Sequence, residues 1–266
     1  MKRPLFFLFF IMVVQSLIAQ QKLQNFAFFN NIYGKRIVVV DEAILHVGPS
    51  AGAAFTDTLH FGDTINILMQ VPYFESINEL EVPWFKITYF KKGYTKVSYI
   101  LGNDISLIEE INCSNYKCYV GFNNSIIKSD DLINQNENNI LSLFIVDSAS
   151  KKNISFILPK GFNTDSIFSK YNVNSTLKKT NGFLDIAFKA NSIEQGSYFF
   201  KFVFCKESNV VQLPLTHSFQ SEKENISECL EIVNQNYFEI NSVKNHIKNT
   251  KNVVKYSWKD CNFFKQ

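Results

Sequence analysis

The chain has 266 residues, 46% of them hydrophobic, enough to bury at least one full core and to allow two small domains. Its formal charge is +3, and setting Lys2 and Arg3 aside from the 27 basic residues leaves 25 against 24 acidic ones. A surface so nearly neutral gives no reason to expect nucleic acid or an anionic membrane as a partner.

Residues 1–19 read as a targeting segment. Lys2 and Arg3 form a positive start, Leu5 to Val14 an apolar run, and Ser16 to Ala19 end on a small residue before Gln20. The run is shorter than the roughly 20 residues a bilayer span needs. The expectation is therefore an exported chain, periplasmic or extracellular, with no membrane span after signal removal. Residues 20–35, rich in Gln and Asn around Phe26, Phe28 and Phe29, read as a tether.

Strand signals begin at Arg36. Ile37 to Val40 are β-branched, Ala43 to Val47 alternate, and Gly48-Pro49-Ser50-Ala51-Gly52 has the composition of a loop. Thr56 to Leu59 form a short strand, Gly62-Asp63 turns the chain, and Thr64 to Gln70 put Ile65 and Ile67 on one face. Pro72 to Glu81 read as an inserted loop. Trp84 to Phe90 and Tyr94 to Val97 are strands joined through Lys91-Lys92-Gly93, Ser98 to Leu101 fit one helical turn, and a last short strand lies near Ile105. Five or six short strands in about 70 residues is the density of a small antiparallel barrel. The 27 Phe and 11 Tyr suit strands, although Phe, Asn, Ile and Lys also share AT-rich codons.

These anchors resemble the bacterial SH3 (SH3b) domain over residues 36–106. That family's Leu-x-Val-Arg-x-Gly-Pro-Ser falls on Ala43 to Ser50, and its Leu-x-x-Gly-Asp/Thr-x-Val-x-Val on Leu59 to Ile67. Its Gly-Trp-Tyr-Lys-Val strand falls on Pro83 to Ile87, and its closing Gly-Tyr/Trp-Val-x-Ser-Ser-Tyr-Leu on Gly93 to Ile100. Ala43, His46 and Pro83 depart from the family's Leu, Arg and Gly, and the stretch from Val71 to Val82 is longer than usual. The resemblance implies an SH3-like barrel, and a ligand surface beside the loop after Gly48-Pro49-Ser50. It also implies peptide-like ligands, with cell-wall peptides first among them.

Residues 110–266 read as a second antiparallel β-rich domain with minor helix, of no recognised family. Cys118 to Phe122 are a short strand, and Ile140 to Val146 with Ile154 to Leu158 form a hairpin. Thr164-Asp165-Ser166 fit the cap of a short helix over Ile167, Phe168 and Tyr171. Phe183 to Lys189, Tyr198 to Cys205 and Val210 to Leu215 form a meander. Cys229 to Val233 pair with Tyr237 to Ile240, Asn241-Ser242 cap a helix through Ile247, and Trp258 to Phe264 dock back on the domain.

Candidate chemistry is sparse. None of the four histidines, His46, His60, His217 and His246, has a partner at zinc-ligand spacing, and His46 and His60 occupy polar-facing positions. All five cysteines follow residue 112. Cys113 and Cys118 have a spacing that permits a bridge, favoured over a metal site because Cys-x2-Cys is lacking. Any two of Cys205, Cys229 and Cys261 can form a second bridge, and spacing does not choose among them. No Gly-x-Ser-x-Gly elbow, phosphate-binding glycine loop or catalytic Cys–His pattern occurs.

The expectation is a non-catalytic protein with no cofactor or metal, which binds a peptide-like ligand. The alternative is a structural or interaction protein whose barrel packs on the C-terminal domain and which binds a protein partner, and a cell-envelope hydrolase has least support. Tyr and Trp offer flat area with a polar tip. Tyr73 and Tyr99 are read as binding residues, Trp84 and Tyr94 fit binding or core equally, and Phe85 is read as core. The resemblance adds His46 and Ser50 to the ligand-binding set.

Overall fold

The computed structural model describes residues 27–29, 32–77, 80–122, 139–146, 151–158, 166–173, 177–190, 196–206, 209–220, 225–245 and 250–266. The expected targeting segment lies outside them. The protein is almost entirely β, without α-helix among the described residues. It divides into two compact units, the first ending at Leu107 and the second beginning at Ile108.

The strands of the first unit are Gly34–Ile37 (β1), Glu42–His46 (β2), Phe55–His60 (β3), Thr64–Ile77 (β4), Leu80–Lys91 (β5) and Tyr94–Leu101 (β6). They form one antiparallel sheet in the order β1-β4-β5-β6-β2-β3, curled into a half-barrel. Alternation drives the curl: Ala43 and Leu45 on β2, Ile65 and Ile67 on β4, Ile87 and Tyr89 on β5, and Ser98 and Ile100 on β6 all turn inward. Gly62 and Gly93 take φ of +87° and +83°, a region open to glycine, at the two turns expected there. A 3-10 turn at Gly102–Asp104 brings Ile105 back to a bridge with Val38.

Three expectations for this unit are corrected. Residues 20–35 are not a tether throughout: Phe28, Phe29 and Ile32 are buried, and Gly34 and Lys35 pair with β4. The Phe29 ring packs 6.4 Å from Phe85, over the space a side chain on Gly102 would fill. Pro72 to Glu81 are not a loop. β4 and β5 continue as a two-stranded ribbon down to the pair Ile77–Leu80, and a bulge between Val71 and Phe74 absorbs Pro72, which has no N–H for the ladder. Ser98 to Leu101 are strand because Ser98 and Ile100 pair with Ile87 and Phe85, and the helical turn follows them.

The second unit has two sheets. Ile111–Cys113 (β7), Tyr116–Phe122 (β8), Asn139–Val146 (β9) and Lys151–Leu158 (β10) form one, in the order β10-β9-β8-β7. Ser166–Asn172 (β11), Thr180–Lys189 (β12), Ser197–Cys205 (β13), Val210–Gln212 (β14), Thr216–Gln220 (β15), Asn225–Asn234 (β16), Tyr237–Asn245 (β17), Thr250–Lys259 (β18) and Asn262–Lys265 (β19) form the other, with β14 and β15 both paired to β13.

Phe156 of β10 joins the sheets, its ring 4.6 Å from Phe200 and 5.9 Å from Phe188. A second core gathers Leu177, Val203, Leu213, Phe238 and Trp258 around a disulfide between Cys205 and Cys261. Each such side chain withdrawn from water contributes roughly 1.5–3 kcal/mol.

Both helices expected here are strands. Ile167, Phe168 and Tyr171 lie on β11, paired along its length with β12, while Thr164 and Asp165 lie outside the described residues. Asn241 and Ser242 lie on β17 between β16 and β18, so neighbouring strands satisfy the backbone groups that a helix would have satisfied internally. Ile247 is outside the described residues.

Candidate functional site

The Gly-Pro-Ser loop links β2 to β3 and is tied down by its own backbone. Val47 N–H donates to the Ala54 carbonyl, Ser50 N–H to Gly48, and Ala53 N–H to Ser50, each within 3.0 Å. The Ser50 hydroxyl accepts from Gly52 N–H at 3.1 Å. Ser50 thus supports the loop, and its residue remains exposed. The Ala51 N–H donates to Glu75 Oε1 at 3.1 Å, which fastens the loop to the β4–β5 ribbon.

Besides Ser50 itself, the structure gathers around this loop four of the other five residues expected to bind, in different roles. Tyr73 is 57% exposed on the ribbon, two residues before Glu75. His46 is paired with Tyr99 in the one register contact between β2 and β6. His46 Nδ1 lies 2.9 Å from the Ala53 carbonyl, which fixes its ring edge-on to Trp84 at 5.3 Å. His46 is therefore half-buried rather than exposed, whereas His60 is exposed. Tyr99 is also half-buried.

Trp84 is core, at 2% exposure, and its indole N–H is buried without a hydrogen-bond partner among the described residues. It supports His46 from beneath and offers a ligand no open face. Phe85 is fully buried, in agreement with its core reading. Tyr94 is 73% exposed but belongs elsewhere. It sits at the β5–β6 turn, five residues before Tyr99 on β6, roughly 17 Å away along the strand and on the alternate face.

Sequence reading did not single out Glu75 or Phe74. Phe74 is 39% exposed and lies beside Tyr73 on the ribbon, opposite Pro83. The stretch does carry strand-forming and apolar types at Tyr73, Phe74, Ile77, Leu80 and Val82, but Pro72 and the bulge beside it obscured the pattern.

The bridge expected between Cys113 and Cys118 is absent, and both are free and buried. A tight turn sets Cys113 opposite Tyr116 and Cys118 opposite Ile111, so the two cysteines are diagonal neighbours rather than a facing pair. Their thiols are in hydrogen-bonding contact, and this contact together with burial pushes the Cys118 thiol up, keeping it protonated. Cys205 and Cys261 are bonded instead, with Cα atoms 6.2 Å apart, and Cys229 is free and exposed.

His217 Nδ1 lies 2.9 Å from Glu228 Oε2 and stacks on Tyr198, and His246 is outside the described residues. Among the described residues no three His, Cys, Asp or Glu side chains converge as metal ligands. No protein-family model matches the chain, and no curated protein or solved structure matches it significantly.

Proposed function

We propose that the protein is an exported, non-catalytic binding module of SH3b type that holds a peptide-like ligand beside the Gly48–Ala54 loop. The observation that carries this reading is the Ala51–Glu75 hydrogen bond, which sets a backbone-stiffened loop against a ribbon bearing exposed Tyr73 and Phe74. A rigid loop flanked by aromatic area is suited to an extended chain, because little side-chain freedom is lost on binding. His46 and Tyr99 complete the surface on the other side of the loop. The Cys205–Cys261 disulfide is consistent with an oxidising compartment.

The test is retention of the full chain on purified peptidoglycan. Tyr73→Ala and Tyr99→Ala lower retention, while Tyr94→Ala, at the far end of β6, leaves it unchanged. Equal retention of all three variants and the parent protein refutes the reading.

A further inference from the structure

We infer that the second unit carries a separate binding site for a small organic oxyanion, a carboxylate or phosphate borne on a polar frame, in the cleft between the segment entering β12 and the β16–β17 turn. The cleft is about 680 Å³ and is lined by Leu177 to Thr180, Lys206 and Ile232 to Gln235. That volume lies within the range of small-molecule sites, which is roughly 300–1,000 Å³.

Its walls are held rigidly. Lys178 N–H donates to the Gln235 carbonyl at 3.0 Å and Lys206 N–H to the Lys179 carbonyl at 2.9 Å, joining the three segments that form the cleft. The buried Trp258 donates its indole N–H to the Lys178 carbonyl at 3.0 Å, and Thr180 Oγ1 bonds the Leu177 carbonyl at 2.7 Å. The Cys205–Cys261 bond lies directly before Lys206 and fixes that strand end. A preorganised frame of this kind binds without first having to be ordered.

The charge of the lining is one-sided. Among the described residues it contains Lys178, Lys179 and Lys206 and no acidic side chain. Lys179 is paired with Asp260 at 2.9 Å, and the same carboxylate feels the Lys178 charge at longer range; Lys178 and Lys206 make no direct ion pair among the described residues. Two exposed lysines on pinned backbone, with Asn234 and Gln235 also in the lining, match a ligand with one anionic end and several hydroxyls. The chain as a whole is nearly neutral, so this local excess of positive charge is a property of the cleft.

The experiment compares three sugars of one frame against the full chain by calorimetry and backbone amide shifts: glucuronate, glucose 6-phosphate and neutral glucose, each up to ~10 mM. One or both anions shift the amides of 178–180, 206 and 234–235, glucose does not, and the anion that binds identifies the preferred head group. The double variant Lys178→Gln/Lys206→Gln weakens binding at least about tenfold with its circular dichroism unchanged, as expected for lost charge-assisted hydrogen bonds. Lys244→Gln, on β17 and outside the lining, leaves affinity unchanged. The inference is overturned if neither anion binds, if glucose binds equally, or if the double variant binds as the parent does.

Discussion

Asp57 on β3 and Lys91 at the end of β5 meet at 2.6 Å, although β3 pairs only with β2. Lys96 reaches the same carboxylate at 3.2 Å, and Tyr89 donates its hydroxyl to it at 3.3 Å. Lys91 also donates to the Thr58 carbonyl, and the Thr56 and Ser98 hydroxyls meet at 3.0 Å. Side chains therefore bind β3 to the β5–β6 hairpin where no backbone ladder does.

The hydrogen bond from Lys91, aided by Lys96, holds the Asp57 carboxyl well below the usual carboxylate range despite partial burial. A depressed folded-state pKa contributes stability that is fully present above the unfolded value of about 4 and is lost as pH falls below it. Thermal unfolding measured from pH 7 to pH 2 shows a falling midpoint below about pH 4. Asp57→Asn unfolds at a lower temperature at pH 7, and the gap to the parent closes towards pH 2. A gap that stays constant with pH rules out the electrostatic account.

The bond between Cys205 and Cys261 spans a sequence separation of 56 and staples the second core. In the chain-entropy account a loop of that size is worth about 4 kcal/mol, and removing a native bridge costs about 2–5 kcal/mol. Cys205→Ser/Cys261→Ser is expected to lower the urea midpoint of the second unit by a corresponding amount. The same shift should appear in the parent protein after reduction.

Thiol reactivity should follow burial. Of the five cysteines two are bonded, which leaves Cys113, Cys118 and Cys229, and of these only Cys229 is exposed. A thiol reagent should label one site in the native chain and three after denaturation without reductant. Two native sites, or one after denaturation, contradicts the arrangement of Cys113 and Cys118.

Lys92 takes φ of +53° at the first position of the two-residue β5–β6 turn, followed by Gly93 at +83°. Turns of this kind favour Asn-Gly, since Asn accepts a left-handed backbone more readily than Lys. Lys92→Asn should therefore raise stability by about 0.5 kcal/mol, read as a higher unfolding midpoint. Lys92→Val should lower it, because a β-branched residue resists that conformation.

The inward positions were the most legible part of the chain. Ile65 with Ile67, and Ala43 with Leu45, are buried as their alternation required, and the turns at Gly62 and Gly93 stand where expected. The hairpin of β9 and β10 was readable because its two apolar runs flank a polar connection. Ile167 to Tyr171 were misread as helix because a short apolar segment carries no period that separates helix from strand, and pairing with β12 decided it.

The aromatic residues were less legible as a site than as a list. Trp84 and Tyr94 look equivalent along the chain, yet one is core and the other stands at a distant turn, while Tyr99 faces His46 beside the loop. Strand register alone separates them.

By itself, then, the sequence determined a mainly β chain, the faces of its regular strands and its principal turns. These follow from side-chain alternation and from backbone freedom, both local properties. Only the tertiary structure decided that Cys205 bonds Cys261, that Asp57 ties β3 to Lys91, and that Glu75 fastens the Gly48–Ala54 loop to the ribbon. Each of these joins residues distant in the chain, and their meeting depends on register, bulges and sheet curl, which no single segment contains.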